Sequence, residues 1–361
     1  MALRRTHLGL AAAFLAGCTL LVDPFELPRS VALALDGSSI GPEAASEASI
    51  PIPCVLDRPP SRPNVQDGPS QPSTSFAARR LRVRATDGFD LDNRCTCDDA
   101  GTEAMVSSSC FPKNPKLALC DGPGGRDNAA AAFLAQGRAG DDYGFDEIAR
   151  RGDQTILFEL RDYNGSRNDP SVVFSVVDSP GLDSARACEG DAGPDTSGDA
   201  GKLEPTWSGC DTWARVASPP LEASNAWVRE GVIVAAFDNL PLRLADIYIR
   251  LRGAVLTATP SNVSGEWVVR LGGSVAPREL VESLGQAIFQ GQPLCRQPQT
   301  YGAFARFVCD GVDMTQGVGS DCNALSFGAE LDTVRVSFGQ KRPPLEVTDV
   351  CDGGSAPIQC D

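Results

Sequence analysis

From residue 79 onward, apolar and polar positions alternate over many short stretches. Leu81, Val83 and Ala85 interleave with Arg80, Arg82 and Arg84, the period of a half-buried strand. Ile156, Phe158 and Leu160 repeat that pattern, as do Val172, Phe174 and Val176, with a polar loop at 164–170 between them. Residues 232–237 are continuously apolar, which suits a strand covered on both faces. Ile247, Ile249 and Leu251 then alternate with Tyr248, Arg250 and Arg252, and Trp267, Val269 and Leu271 form a partner across a turn at 260–265. Two more strands are expected at 304–308 and 334–338. Helical spacing is rarer. Leu280, Leu284 and Ile288 share one face of a helix expected over 277–290, with Pro277 in its first turn and Gly291 after its end. Shorter helices are expected from Asn128, as cap, to Gln136, and over 145–151. The pattern predicts a mainly β fold: an antiparallel β-sandwich-like body with a few short helices.

The first 77 residues follow other rules. Arg4 and Arg5 precede an apolar run at 8–14, and Leu15-Ala16-Gly17-Cys18 closes it, the order of an export signal. Even the whole uncharged stretch at 8–22, roughly fifteen residues, is short for a membrane span, which needs about twenty. Leu15-Ala16-Gly17-Cys18 resembles the lipobox of bacterial lipoproteins. That resemblance implies removal of residues 1–17, lipid on Cys18 and a protein anchored outside the cytoplasm. Thr19, where an Asp would imply inner-membrane retention, implies the outer membrane. Residues 18–77 are rich in Pro, Ser and Gly and are read as a tether. A β-rich body over 78–342 follows, with a division into two packed sub-domains near 240 left open, and then a tail over 343–361.

Thirteen cysteines are an odd number for an exported chain. Assigning Cys18 to lipid leaves twelve, enough for six disulfides. Connectivity cannot be read from sequence, yet three local pairs would close short loops: Cys188 with Cys210, Cys295 with Cys309, and Cys351 with Cys360. Closing a loop of about twenty residues stabilises by on the order of 3 kcal/mol. Cys95, Cys97, Cys110 and Cys120 would suit zinc in a reducing compartment, but an oxidising one favours two disulfides among them.

Asp90-Leu91-Asp92 running into Cys95-Thr96, with the later Cys120-Asp121-Gly122-Pro123-Gly124-Gly125-Arg126-Asp127-Asn128, resembles uncharacterised exported cysteine-rich proteins of myxobacteria. Echoes of that pattern recur at Tyr163-Asn164-Gly165, at Asn168-Asp169-Pro170 and from Cys322 to Ser326. The resemblance implies a shared location and architecture and assigns no reaction.

Composition narrows the chemistry. The only histidine, His7, lies in the segment expected to be removed, so histidine-dependent triads and imidazole metal sites are excluded from the mature chain. Loss of Arg4 and Arg5 takes the net charge from −15 to −17, which disfavours nucleic acid as a partner. What remains are carboxylates, hydroxyls and amides, ligands of hard cations. Asp162, Asn164, Ser166, Asn168 and Asp169 place oxygens at alternating positions of a hairpin loop that could converge on calcium. Asp87, Asp90, Asp92 and Asn93, with Asp121 and Asp127, form a second candidate. Both sets are equally compatible with ordinary turn chemistry. Trp207, Trp213 and Trp227 would be either core residues or a sugar-stacking platform. Three functions are consistent with these features: an envelope binding or adhesion module for a glycan or protein ligand, a structural envelope component, and a hydrolase using paired carboxylates, for which no pair stands out.

Overall fold

The computed structural model describes residues 56–93, 110–111, 113, 121–131, 144–189, 204–244, 247–263, 265–289, 292–316, 321–345, 350–351 and 360. Cys18, Cys54, Cys95, Cys97, Cys120 and most of the helix expected to reach Gln136 lie outside them, as does the first part of the expected tether. No helix among the described residues is long and apolar enough to cross a membrane.

The strands are β1 (Thr74–Arg82), β2 (Thr155–Arg161), β3 (Val173–Ser179), β4 (Leu182–Ser184), β5 (Thr212–Val216), β6 (Leu221–Glu222), β7 (Asn225–Arg229), β8 (Val232–Leu244), β9 (Ile247–Pro260), β10 (Glu266–Val275) and β13 (Leu325–Arg342). A two-residue pair, β11 (Ile288–Phe289) and β12 (Gln292–Pro293), stands apart. The main sheet runs β6-β3-β2-β1-β13-β10-β9-β8-β7, and its pairings along that path are antiparallel. Its two ends meet. Asp169 and Val228 exchange backbone hydrogen bonds of 2.9 and 2.8 Å, and Val172 N donates to Ala226 O at 3.2 Å. The chain just before β3 thus pairs with β7 and closes the sheet into a barrel, which leaves neither β3 nor β7 a free edge there.

Strand alternation now has a direct meaning. Phe76, Phe158, Phe174, Phe237, Leu256, Leu271 and Phe327 all belong to one buried cluster drawn from every wall. Opposite walls pack face to face across this core, the sandwich-like packing expected from the sequence, achieved by a single closed sheet. A second, smaller cluster lies on the outer surface. There Trp213 of β5 is fully buried against Ala77, Leu157, Val177 and Val336, because β5 runs parallel to the end of β13 and clasps the outside of β1–β3. Trp207 stacks on Trp213 with ring centroids 5.5 Å apart. These two tryptophans form a clasp rather than a sugar platform.

The helices that flank the barrel include α1 (Phe145–Arg150), α2 (Pro277–Gln286) and α3 (Pro298–Asp310). Two sequence expectations change here. Helix α2 stops four residues short of Gln290, because Ala287 is extended and Leu294 N bonds back to Ala287 O, carrying Ile288 into β11. Residues 304–308 are helical rather than a strand. The helix buries Tyr301, Ala305 and Val308, four and three residues apart, together with Cys309, and Pro298 starts its first turn.

Strand β8 runs unbroken through residue 240, near which the sequence leaves open a division into two packed sub-domains. Strand β1 begins at Thr74, and residues 57–62 dock before it, so the ordered body starts well before residue 78. All described residues fall within one compact unit, Pro51–Asp361.

Four disulfides join described cysteines: Cys110–Cys322, Cys188–Cys210, Cys295–Cys351 and Cys309–Cys360. Cys188–Cys210 is the local pair expected. The other two local pairs are not formed. Cys295 precedes α3 while Cys309 sits in its last turn, and the helix from Pro298 to Cys309 rises roughly 16 Å, beyond the reach of a disulfide. Each end of α3 is therefore tied to the tail instead. Cys110 pairs across 212 residues rather than within the group around Cys95.

Candidate functional site

The candidate site forms where three segments meet on the barrel's outside: a strap at residues 57–62, the loop after β1 at 84–93, and the loop at 121–128. Gly328 of β13 allows the approach. A Cβ there would stand 2.6 Å from both Asp87 O and Gly88 Cα, so the loop's backbone lies directly on the strand. Asn128 holds it in place. Its Nδ2 donates to Arg84 O at 2.6 Å and to Gly328 O at 2.8 Å, and its Oδ1 accepts from Gly328 N at 2.9 Å. The sequence suggested a simple helix cap; the side chain is a clamp between loop and strand.

The clamp brings carboxylates together. One oxygen each from Asp90, Asp92 and Asp127 lie within 4.8 Å of one another. Asp90 accepts from Asn93 N at 2.7 Å and from Arg58 Nε at 3.1 Å, and Asp127 accepts from Leu91 N at 2.6 Å. Asp127 is 4% exposed, and burial together with the nearby charges of Asp92, Asp121 and Asp313 pushes its carboxyl up to about 9. Desolvation also raises Asp313 to about 7, although the Ser326 N–H and hydroxyl bond its carboxylate. Asp87 is raised by burial too, but it faces the turn itself, accepting from Arg84 N at 2.9 Å. Asn93 is exposed with φ 67° and contributes its amide, not its side chain, to Asp90. Of the second set expected from sequence, Asp90, Asp92 and Asp127 converge, with Asp121 close enough to act on Asp127 through its charge.

The hairpin-loop set behaves differently. Asp169, fully buried, accepts from Asn164 N and Ser171 N at 2.7 and 3.1 Å. Asn164 accepts from Ser166 N, Ser166 donates to Asn168 O, and Asn168 accepts from Glu230 N. Asp162 is exposed with φ 57°. These side chains bond the backbone of the turn that closes the barrel, which is the turn chemistry weighed against calcium above.

Beside the carboxylates lies a groove of about 400 Å³ on the outer face of β8–β10, with Val232, Thr257, Thr259, Val268 and Arg270 as its floor and Phe89 and the strap residues Asp57, Arg58, Pro59 and Pro60 as its walls. The strap is tied down along its length. Asp57 accepts from Arg126 Nε at 2.6 Å and from Arg270 at 3.0 Å, and Trp227 Nε1 donates to Pro60 O at 3.0 Å. Arg62 stacks over the Trp227 ring and bonds Asn225. Trp227 is therefore an anchor for the strap. Sequence reading took these residues for tether because they show no periodicity, although Asp57-Arg58-Pro59-Pro60 is a stiff, charged segment of the kind that docks. Replacing Asp57 by asparagine is expected to cost about 1–2 kcal/mol in urea unfolding, since two charge-assisted bonds weaken at once. High salt should shrink the difference from wild type.

No family model, curated protein or solved structure matches this chain.

Proposed function

We propose that the protein is an exported, lipid-anchored binding module of the cell envelope, held at the outer membrane through Cys18. The observation that carries the binding part is the strap-covered groove, whose volume falls within the range of about 300–1,000 Å³ usual for small-molecule sites. Disulfides at four described cysteine pairs are compatible with export. Among the described residues the groove lining carries one carboxylate, Asp57, already held by two guanidiniums, which supports binding rather than acid-pair hydrolysis. The anchor is tested by growing cells with labelled palmitate: the protein takes up label and partitions into detergent, and Cys18→Ala loses both. Equal partitioning of the two would remove the anchor from the reading.

A second reading adds a divalent cation at Asp90, Asp92 and Asp127. Arg58 offsets Asp90, and the crowding that remains on Asp92 and Asp127 is relieved by a proton or by a cation, for which an all-oxygen ligand set suits calcium. Calorimetry on the intact protein is expected to give a dissociation constant on the order of 10⁻⁴ to 10⁻³ M, as in extracellular calcium modules. Asp92→Asn should abolish the heat and Asp162→Ala should leave it intact. Loss in Asp162→Ala instead would return the search to the hairpin loop.

A further inference from the structure

The groove lining carries two arginines, Arg58 in the strap and Arg270 in the floor, in a protein whose net charge is −15, and each has donors to spare. Arg58 uses Nε on Asp90 and makes no other polar contact among the described residues, and its side chain is 48% exposed. Arg270 gives one nitrogen to Asp57 at 3.0 Å and lies over the Phe89 ring at 5.8 Å. A guanidinium has five N–H donors in a planar fork, so both can still receive a carboxylate in bidentate fashion. Among the described residues Asp57 is the acid of the groove lining, and Asp90 lies just outside it on Arg58, so the guanidiniums of Arg58, Arg126 and Arg270 face two carboxylates and one positive charge is left over in this paired group. Acids farther away than the screening length of about 8 Å at physiological salt act on it little, and of the two close neighbours Asp92 and Asp127, the latter is raised to about 9 and holds its proton at neutral pH.

The rest of the lining is amphipathic and flat. Thr257 and Thr259 stand two residues apart on β9 and so share its outer face, Thr259 opposite Val268 and Thr257 opposite Arg270. Pro59 and Pro60 supply a rigid apolar wall and Phe89 an aromatic one. A pyranose ring has the matching character, with apolar C–H faces and a hydroxyl edge. We propose that this groove binds an acidic sugar of the uronate type, with its carboxylate on Arg58 and Arg270 and its hydroxyls on Thr257 and Thr259. The assignment rests on the binding-module reading above and names the ligand class of the same groove.

The same chemistry could come from a free uronic acid or from a residue of an acidic polysaccharide, so the test has separate arms. Calorimetry on the intact protein would use galacturonate, a galacturonate trimer and neutral galactose. Binding of galacturonate with no heat from galactose is expected, weakened tenfold or more in Arg58→Gln and in Thr257→Val and largely restored in Arg58→Lys. Tighter binding of the trimer than of the monomer would identify polysaccharide as the source, and equal binding a free sugar acid. Near-ultraviolet circular dichroism of each variant controls for folding. Equal binding of galactose and galacturonate, unaffected by Arg58→Gln, would overturn the uronate assignment while leaving a glycan-binding module. No heat from any of the three at millimolar concentration would overturn the assignment and also deprive the binding reading of its site.

Discussion

With Asn128 replaced by alanine, the protein is expected to lose about 3–5 kcal/mol of stability in urea unfolding. The side chain is 7% exposed and makes three hydrogen bonds of 2.6–2.9 Å to backbone groups of Arg84 and Gly328. Alanine leaves the Gly328 N–H and two carbonyls without these partners in a buried place, at about 1–3 kcal/mol for each unsatisfied group. Because the loop's backbone sits on Gly328, water has little room to replace the amide. The same change should release Asp90, Asp92 and Asp127 from one another, so calcium binding and stability should fall together. A loss below about 1 kcal/mol, with calcium binding retained, would show that the loop is held by other contacts.

In the presence of a chelator, the protein is expected to become less stable as pH rises from 4 to 9. Asp127 and Asp313 have folded-state values raised to about 9 and about 7, while Asp87 and Asp178 are raised by burial as well. The folded state therefore holds protons that the unfolded chain releases near pH 4. Stability is complete below that value and is lost as pH climbs through each folded-state value. Each tenfold step in proton affinity is worth about 1.4 kcal/mol, so Asp313 alone accounts for on the order of 4 kcal/mol across this window. Melting temperature measured by differential scanning fluorimetry should fall monotonically. Repulsion within a chain of net charge −15 acts in the same direction, so Asp313→Asn is the control. It should flatten the curve between pH 4 and 7, and an unchanged slope would assign the effect to net charge alone.

Much of the barrel was legible because its walls bury one face. The alternation at Ile247, Ile249 and Leu251 placed β9, and that at Ile156, Phe158 and Leu160 placed β2, since a strand half-covered by a core needs an apolar residue at every second position. Closure was not legible. It depends on backbone bonds between Asp169 and Val228, and backbone bonds leave no side-chain pattern. Helix α3 was misread because the short apolar stretch around Phe304 and Val308 has no strict period, and only its packing separates helix from strand. For the site, the acidic residues could be named from their density, but which of them converge depends on Asn128 and Gly328, 200 residues apart. The groove was invisible for a similar reason. Arg58 and Arg270 meet only through the tertiary fold, and proline-rich sequence looks alike whether it docks or hangs free.

The position of β1 carries a kinetic consequence. The first strand of the barrel lies between β2 and the last, β13, with Arg82 facing Glu330 and Ser75 facing Val336, some 250 residues away. The wall cannot be completed until β13 has been delivered, whatever the earlier strands have done. Such long-range pairing makes spontaneous folding slow, on the scale of milliseconds to seconds or longer, and leaves β1 with one edge unpaired meanwhile. On the export route proposed above, that delay would be an advantage: a barrel that waits for its final strand stays threadable until translocation is nearly finished.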